Sequence, residues 1–334
     1  MLAQQPISGR VINGTTNRPA AGQKVELLTL AEGMKTASEA VSGPDGSFVF
    51  SPVETTQTPH LLLRAIYQGV NYNLSVSTQT QEQNPVIVTI YETTPELKEI
   101  KVSLPVMLAQ ASGNALLVQE QYLLANDTNP KMTLVNPQGT FLFDTPPPAI
   151  TSELSVSVVG LAGIPLPQQP IARSEGGYLI SYPMKPGVNE IRISYRVNYS
   201  TSQRELKHHL FYGTKGSRIL ILPPDLQVSG DQLKPEGKDP RTQAAAYQVS
   251  EIAKGGVLDL RILGNAPDVS TDDAGTESEG GQPQVRVVRL PNPVFEQKEI
   301  ILGSLGVFFA LAIFYALRQR SRRSDLVTAA KKKS

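Results

Sequence analysis

Turn-forming residues interrupt this chain so often that little room is left for a long helix before residue 264. Gly and Pro number 26 each in 334 residues and follow no repeat. With Thr, Ser and Val around them, they favour short strands joined by tight turns. Strands are expected at residues 7–12, 24–30, 35–41, 47–50, 60–67, 70–77 and 86–91, enough for a small β-sandwich over 5–93. A second set, at 99–106, 115–124, 140–143, 154–159, 178–182, 190–199, 206–211, 218–222, 247–252 and 257–263, makes 97–264 one larger sandwich or two closely joined ones. Alternation is clearest in EIRISYRVNY, where Ile191, Ile193, Tyr195, Val197 and Tyr199 share one face and Arg192, Ser194, Arg196 and Asn198 the other. The Pro-rich FDTPPPAITSE and LAGIPLPQQP cannot continue a central strand and belong in loops or at sheet edges.

Composition excludes several chemistries. The net charge of +1 gives no field to gather nucleic acid, so none is expected as a partner. Without cysteine there are no disulfides, thiolate metal sites or Cys nucleophiles, and three His leave few candidates for zinc or a general base. His208 and His209 are adjacent on an expected strand, so they point to opposite faces and cannot both ligate one metal without a bulge; a solvated or half-buried pair is expected. No Gly-x-Ser-x-Gly elbow, His-Glu-x-x-His helix or phosphate-cradling glycine loop with Lys occurs. The carboxylates near cations in LKEIKVSLPV and PMKPGVNEIRI read as ordinary charge on wet strand faces. The chain is therefore expected to be no enzyme and to need neither cofactor nor metal.

One turn carries its own mechanism. In SGPDGSFVF, Pro44 pre-sets the bend, Asp45 can bond backbone amides, Gly46 accepts positive φ, and Phe48 and Phe50 alternate inward as the next strand begins. This stretch, with ISGRVINGTTNRPAAGQKVELLTL before it, resembles the carboxypeptidase regulatory-like domains, transthyretin-like or carbohydrate-binding-like β-sandwiches of bacterial envelope proteins. The resemblance covers about a quarter of the chain. It implies a non-catalytic folding, spacing or adhesive module, with glycan binding as an inherited possibility for which Tyr67, Tyr72 and Tyr91 are the available aromatic platforms. The run from LLVQEQYLLANDTNPKMTL through YPMKPGVNEIRISYRVNY is similar to a module that recurs in bacterial envelope proteins, which implies location more than activity.

The C-terminal end constrains topology. Residues 300–317 contain no charge, Asn, Gln or Pro and include Ile300, Leu302, Phe308, Phe309, Phe314 and Leu317. At about 1.5 Å per residue this stretch reaches roughly 27 Å, close to a hydrocarbon core, and it is apolar on every face. A single transmembrane helix is expected at 299–318, with the lipid bilayer as a partner. Arg318, Arg320, Arg322 and Arg323, then Lys331, Lys332 and Lys333, follow it against only Asp325, so the tail 319–334 is expected in the cytoplasm and everything before about residue 298 outside. Export needs a leader; MLAQQ holds no apolar run long enough, and LAQ resembles the end of a cleaved signal peptide, so the signal is expected to be missing from the sequence. Gly306 with Ala310, and Ala312 with Ala316, have the small-xxx-small spacing of self-associating helices, the basis for a weak self-association.

Residues 265–298 begin NAPDVSTDDAGTESEGGQPQ, acidic and almost without large apolar side chains, and are expected to form a flexible stalk. Asp268, Asp272, Asp273 and Glu277 lack the spacing of a calcium loop. The expected class is all-β: tandem β-sandwich domains, a flexible stalk and one C-terminal transmembrane α-helix. The leading functional expectation is an exported binding or scaffolding module for other envelope components, with an envelope protein as partner. The alternatives are a cell-surface carbohydrate-binding protein, with a glycan as partner, and a hydrolase whose carboxylates come from distant loops.

Overall fold

Two hydrophobic cores, each enclosed by β-sheets, organise the part of the chain that the computed structural model describes: residues 7–29, 34–51, 60–77, 85–96, 100–146, 149–160, 163–198 and 204–264. All of these belong to one compact unit, 1–270. Every regular element among them is a strand, in agreement with the all-β expectation. The expected stalk, the helix at 299–318 with Ile300, Leu302, Phe308, Phe309, Phe314 and Leu317, and the tail with Arg318, Arg320, Arg322 and Arg323 lie outside the described residues. Among the described residues no helix is long and apolar enough to cross a membrane.

The first core forms where two sheets close over alternating apolar residues. Ser8–Asn13 is the centre of one sheet, antiparallel to Arg18–Pro19 and Ser47–Val49 and parallel to Val86–Ile90. The facing sheet is antiparallel, in the order Lys35–Val41, Lys24–Thr29, His60–Tyr67, Val70–Ser77. Val11, Leu27, Phe48, Phe50, Leu61 and Leu63 meet between them, and Phe48 and Phe50 contact edge to face at 5.5 Å between centroids. The turn before Phe48 forms as its residues dictate: the Gly46 amide donates to the Gly43 carbonyl at 2.9 Å, and Asp45 Oδ1 accepts from the Ser47 amide and hydroxyl at 3.1 and 2.6 Å. Gly46 sits at φ +79° with Val11 O only 2.5 Å from where a Cβ would stand.

The second core lies against an eight-stranded sheet ordered Pro165–Gln168, Ala149–Val159, Gly187–Asn198, Ala115–Asn126, Ile100–Ser112, Arg218–Leu222, Ala245–Val249, Leu233–Lys238. Two three-stranded sheets cover it, one of Phe141–Phe143, Tyr178–Ile180 and Ile171–Ala172, the other of Arg204–His209, Val257–Leu263 and Gln227–Ser229. Ile191, Ile193, Tyr195 and Val197 are buried as their alternation requires, while Tyr199 lies outside the described residues. Ile100–Ser112 runs past the expected end at Val106. Pro105 is tolerated inside it because the pairing with Ala115–Asn126 shifts register between Ser103 and Val106, a bulge that excuses the missing N–H. Pro165–Gln168, with two prolines, occupies the outer edge, where among the described residues no further ladder needs its amides.

Candidate functional site

Between the two cores residues 91–94 of the connecting chain are pinned rather than loose. Glu92 Oε1 accepts from Asn13 Nδ2 and the Tyr67 hydroxyl, both at 2.7 Å, and Oε2 accepts from Gln68 Nε2 at 2.6 Å. Hydrogen bonding by Tyr67 leads the effects that hold the Glu92 carboxyl below its ordinary range, against a smaller opposing effect of burial. Thr93–Thr94 pairs in parallel with Thr133–Leu134, so the connector is a strand of the second module's sheet system. The buried Tyr72 hydroxyl donates to the Tyr91 carbonyl at 2.8 Å and shares a 2.8 Å hydrogen bond with the Thr133 hydroxyl. Thr15 closes the other side, accepting from the Glu92 amide at 2.9 Å and donating to the Lys131 carbonyl at 2.6 Å.

Gln68 shows what this junction costs locally. It is the first residue of the two-residue turn joining His60–Tyr67 to Val70–Ser77 and adopts φ 48°, a conformation more easily taken by Asn or Gly. Its side-chain oxygen accepts from the Thr93 amide and hydroxyl at 3.0 and 2.9 Å. The strained turn residue thus bonds both Glu92 and Thr93 of the connector.

A cavity of about 140 Å³ opens beside this junction. Leu62, Ile87 and Val88 of the first module line it on one side, and Ile164, Leu166 and Lys185 of the second on the other. Tyr72, Tyr91 and Tyr182 add three rings, and Leu74, Gly160 and the polar Asn73 and Thr89 complete the wall. Lys185 is only 8% exposed. Its ammonium donates to the Tyr182 hydroxyl at 3.0 Å and stands 5.1 and 5.8 Å from the ring centroids of Tyr182 and Tyr72. Burial lowers its pKa from 10.5 to about 8.

The backbone holds Lys185 in place. Met184 exchanges hydrogen bonds with Leu134 at 2.9 and 3.0 Å, Asn126 Nδ2 donates to the Met184 carbonyl at 2.8 Å, and Asn189 Nδ2 donates to the Lys185 carbonyl at 2.8 Å. The expectation that PMKPGVNEIRI carries its charges on a wet face is overturned: Lys185 and Glu190 are buried, as is the neutral Asn189 between them. The segment turns inward at the junction, where partners exist that a strand pattern cannot announce, and Glu190 is paired with Arg192.

A second buried polar cluster lies inside the second core. Glu120 shares the inward face of Ala115–Asn126 with Val118 and Tyr122. It accepts from the Tyr195 hydroxyl at 2.6 Å and the Tyr122 hydroxyl at 2.9 Å, and Oε1 lies 3.2 Å from His208 Nε2 across the sandwich. This corrects the expectation of a solvated or half-buried histidine pair. His209 is half-exposed, 3.9 Å from Asp144, whereas His208 points into the core. Burial raises the Glu120 pKa, but the charge of His208 and the phenol hydrogen bonds outweigh it, leaving a net lowering. Burial lowers that of His208, but the Glu120 charge outweighs it, leaving a net rise. Both phenols are pushed well above their usual range by burial and by Glu120, so they remain donors.

With both side chains sealed in the core, this pair can stabilise and orient but offers no surface to a substrate. Among the described residues no group of three His, Asp or Glu side chains is placed to hold a metal. Of the aromatic platforms named for glycans, Tyr72 is buried with its hydroxyl committed, and the Tyr67 hydroxyl is held by Glu92. Sequence patterning missed both clusters. The available signal for Glu120 was a carboxylate in phase with Leu116, Val118, Tyr122 and Leu124; Lys185 offered none.

No protein-family model matches the chain, and no curated protein matches it. Among solved structures it is similar to BcpA, the major pilin subunit of Bacillus cereus, at 11% identity and a TM-score of 0.24, over 79% of this chain and 85% of that one. It is also similar to a tetra-tandem repeat in the extending region of a large adhesion protein, at 11% identity and a TM-score of 0.13, over 78% of this chain and 66% of that one. Likeness this loose carries no argument about what the chain does.

Proposed function

We propose that the chain is a non-catalytic, single-pass envelope protein, anchored by residues 299–318, whose two β modules stand outside the membrane as one rigid scaffold for other envelope proteins. The observation that carries this reading is the junction at Glu92. A connector that served only as a tether would be left to solvent; this one is hydrogen-bonded from both sides, with the buried Tyr72–Thr133 contact beside it, which fits two modules held as one body.

Three features support it. Among the described residues, 36–41 belong to an edge strand without proline that pairs with Lys24–Thr29 alone, and they are suited to adding a partner's strand. Val41 and Val49 project from the first module at 67% and 61% exposure. The basic residues after the apolar stretch and the resemblance to carboxypeptidase regulatory-like domains both fit an exported module.

A photo-crosslinking residue placed at Ala37 or Val49 in cells tests the reading. Discrete adducts with other envelope proteins are expected. Absence of adducts at both positions, with retention of the chain on polysaccharide, would replace the scaffold by the carbohydrate-binding alternative.

A further inference from the structure

We propose that the cavity at the junction is a binding site for a small organic monocarboxylate with a flat apolar body, its carboxylate paired with the ammonium of Lys185. The proposal rests on the cavity and not on the scaffold reading. An ammonium is seldom taken out of water without an opposing charge, because the desolvation is not repaid. Lys185 is buried and supported by the Tyr182 phenol and, at 5.8 Å, the Tyr72 ring, and among the described residues no carboxylate lies within 4.0 Å of it. Only one of its three donors is used by Tyr182, so two remain for a ligand.

The rest of the wall defines what else the ligand carries. Leu62, Ile87, Val88, Ile164 and Leu166 give it a mostly apolar lining, broken by Asn73 and Thr89, and the rings of Tyr72, Tyr91 and Tyr182 give it flat faces. The volume, about 140 Å³, matches apolar cavities of about 150 Å³ that take up benzene. A phosphate or sulfate would bring more charged oxygens than one ammonium can satisfy against such a lining, whereas a carboxylate needs only the free donors of Lys185 and a phenol. Because the wall comes from both modules, such a ligand would touch both at once.

Calorimetric titration of the full-length chain in nanodiscs, near neutral pH, with benzoate and with its neutral isostere benzamide tests this. Benzoate is expected to bind at least about tenfold more tightly than benzamide, and Lys185→Met to remove that difference while still admitting benzamide. Ile164→Trp, which fills the cavity without touching the charge, is expected to abolish binding of both. Equal affinity for the two compounds, no benzoate binding up to about 10 mM, or undiminished benzoate binding by Lys185→Met would overturn the proposal.

Discussion

Glu120 and His208 face one another across the second core with 3.2 Å between Oε1 and Nε2, their side chains 0% and 2% exposed. The contact joins Ala115–Asn126 of the large sheet to Arg204–His209 of a small one, so it ties together the two layers of the sandwich. Removing His208 would strand the Glu120 carboxylate in the core, and removing Glu120 would leave His208 buried without the partner that holds its proton. Glu120→Gln or His208→Gln is therefore expected to cost about 3–5 kcal/mol, and the two together less than the sum of the single changes, as read by urea denaturation.

The same pair sets a pH window. The His208 pKa is raised, so its contribution is complete below the ordinary histidine value of 6.5 and is lost as pH rises through the folded value. The Glu120 pKa is lowered, so its contribution is complete above 4.5 and is lost as pH falls through the folded value. Stability from this contact should be greatest between those two pH values, and Glu120→Gln should remove the acid limb and reverse the other, because burial alone then lowers the His208 pKa.

Lys185 acts in the opposite sense. Its pKa falls from 10.5 in the unfolded chain to about 8 in the folded one, so the unfolded chain holds more protons between those values and stability should rise with pH across them. The increase should reach up to about 3 kcal/mol. Lys185→Met should remove this limb and make the protein more stable near neutral pH. A profile unchanged by the substitution would mean that the ammonium is better solvated than its position implies.

Gly46→Ala should cost about 1–3 kcal/mol, because the backbone sits at φ +79° and the added methyl would meet Val11 O at 2.5 Å. A shift of the denaturation midpoint measures it. Gly22→Ala has the same handicap at φ +69° but meets nothing within 4 Å, so it should cost less and separate the steric part from the torsional one.

At the junction, Gln68→Gly should relieve the φ 48° conformation while removing the bonds to Glu92 and Thr93. Proteolysis between residues 91 and 96 should become faster with little loss of stability in the first module. Tyr72→Phe with Thr133→Val removes the buried contact as a pair and should produce the same loosening, costing about 1 kcal/mol.

Much of the strand framework was legible because it depends on local pattern: the Pro44–Gly46 turn, the alternation around Ile191 to Val197, and the seven main strands of the first module were all readable. What was missed is tertiary in origin. Thr93–Thr94 and Thr133–Leu134 become strands only by finding each other, and Gln227–Ser229 only by docking on Val257–Leu263. Leu233–Lys238 carries Pro235 and Gly237, which hide a strand from propensity; it persists at a sheet edge with a register shift between them. His208 and Lys185 were misplaced for one reason: periodicity says which side chains share a face, but not which buried charge or ring lies opposite.

The central claim is that the β modules stand outside the membrane, carried by the expected helix at 299–318. A site for a specific protease, inserted between Asp272 and Gly281, tests it directly in intact cells, spheroplasts and inverted membrane vesicles. The account predicts cleavage in spheroplasts, with the two sandwiches released and a small C-terminal fragment retained in the membrane, and protection in inverted vesicles. Protection in spheroplasts with cleavage in inverted vesicles would place the sandwiches in the cytoplasm and contradict it.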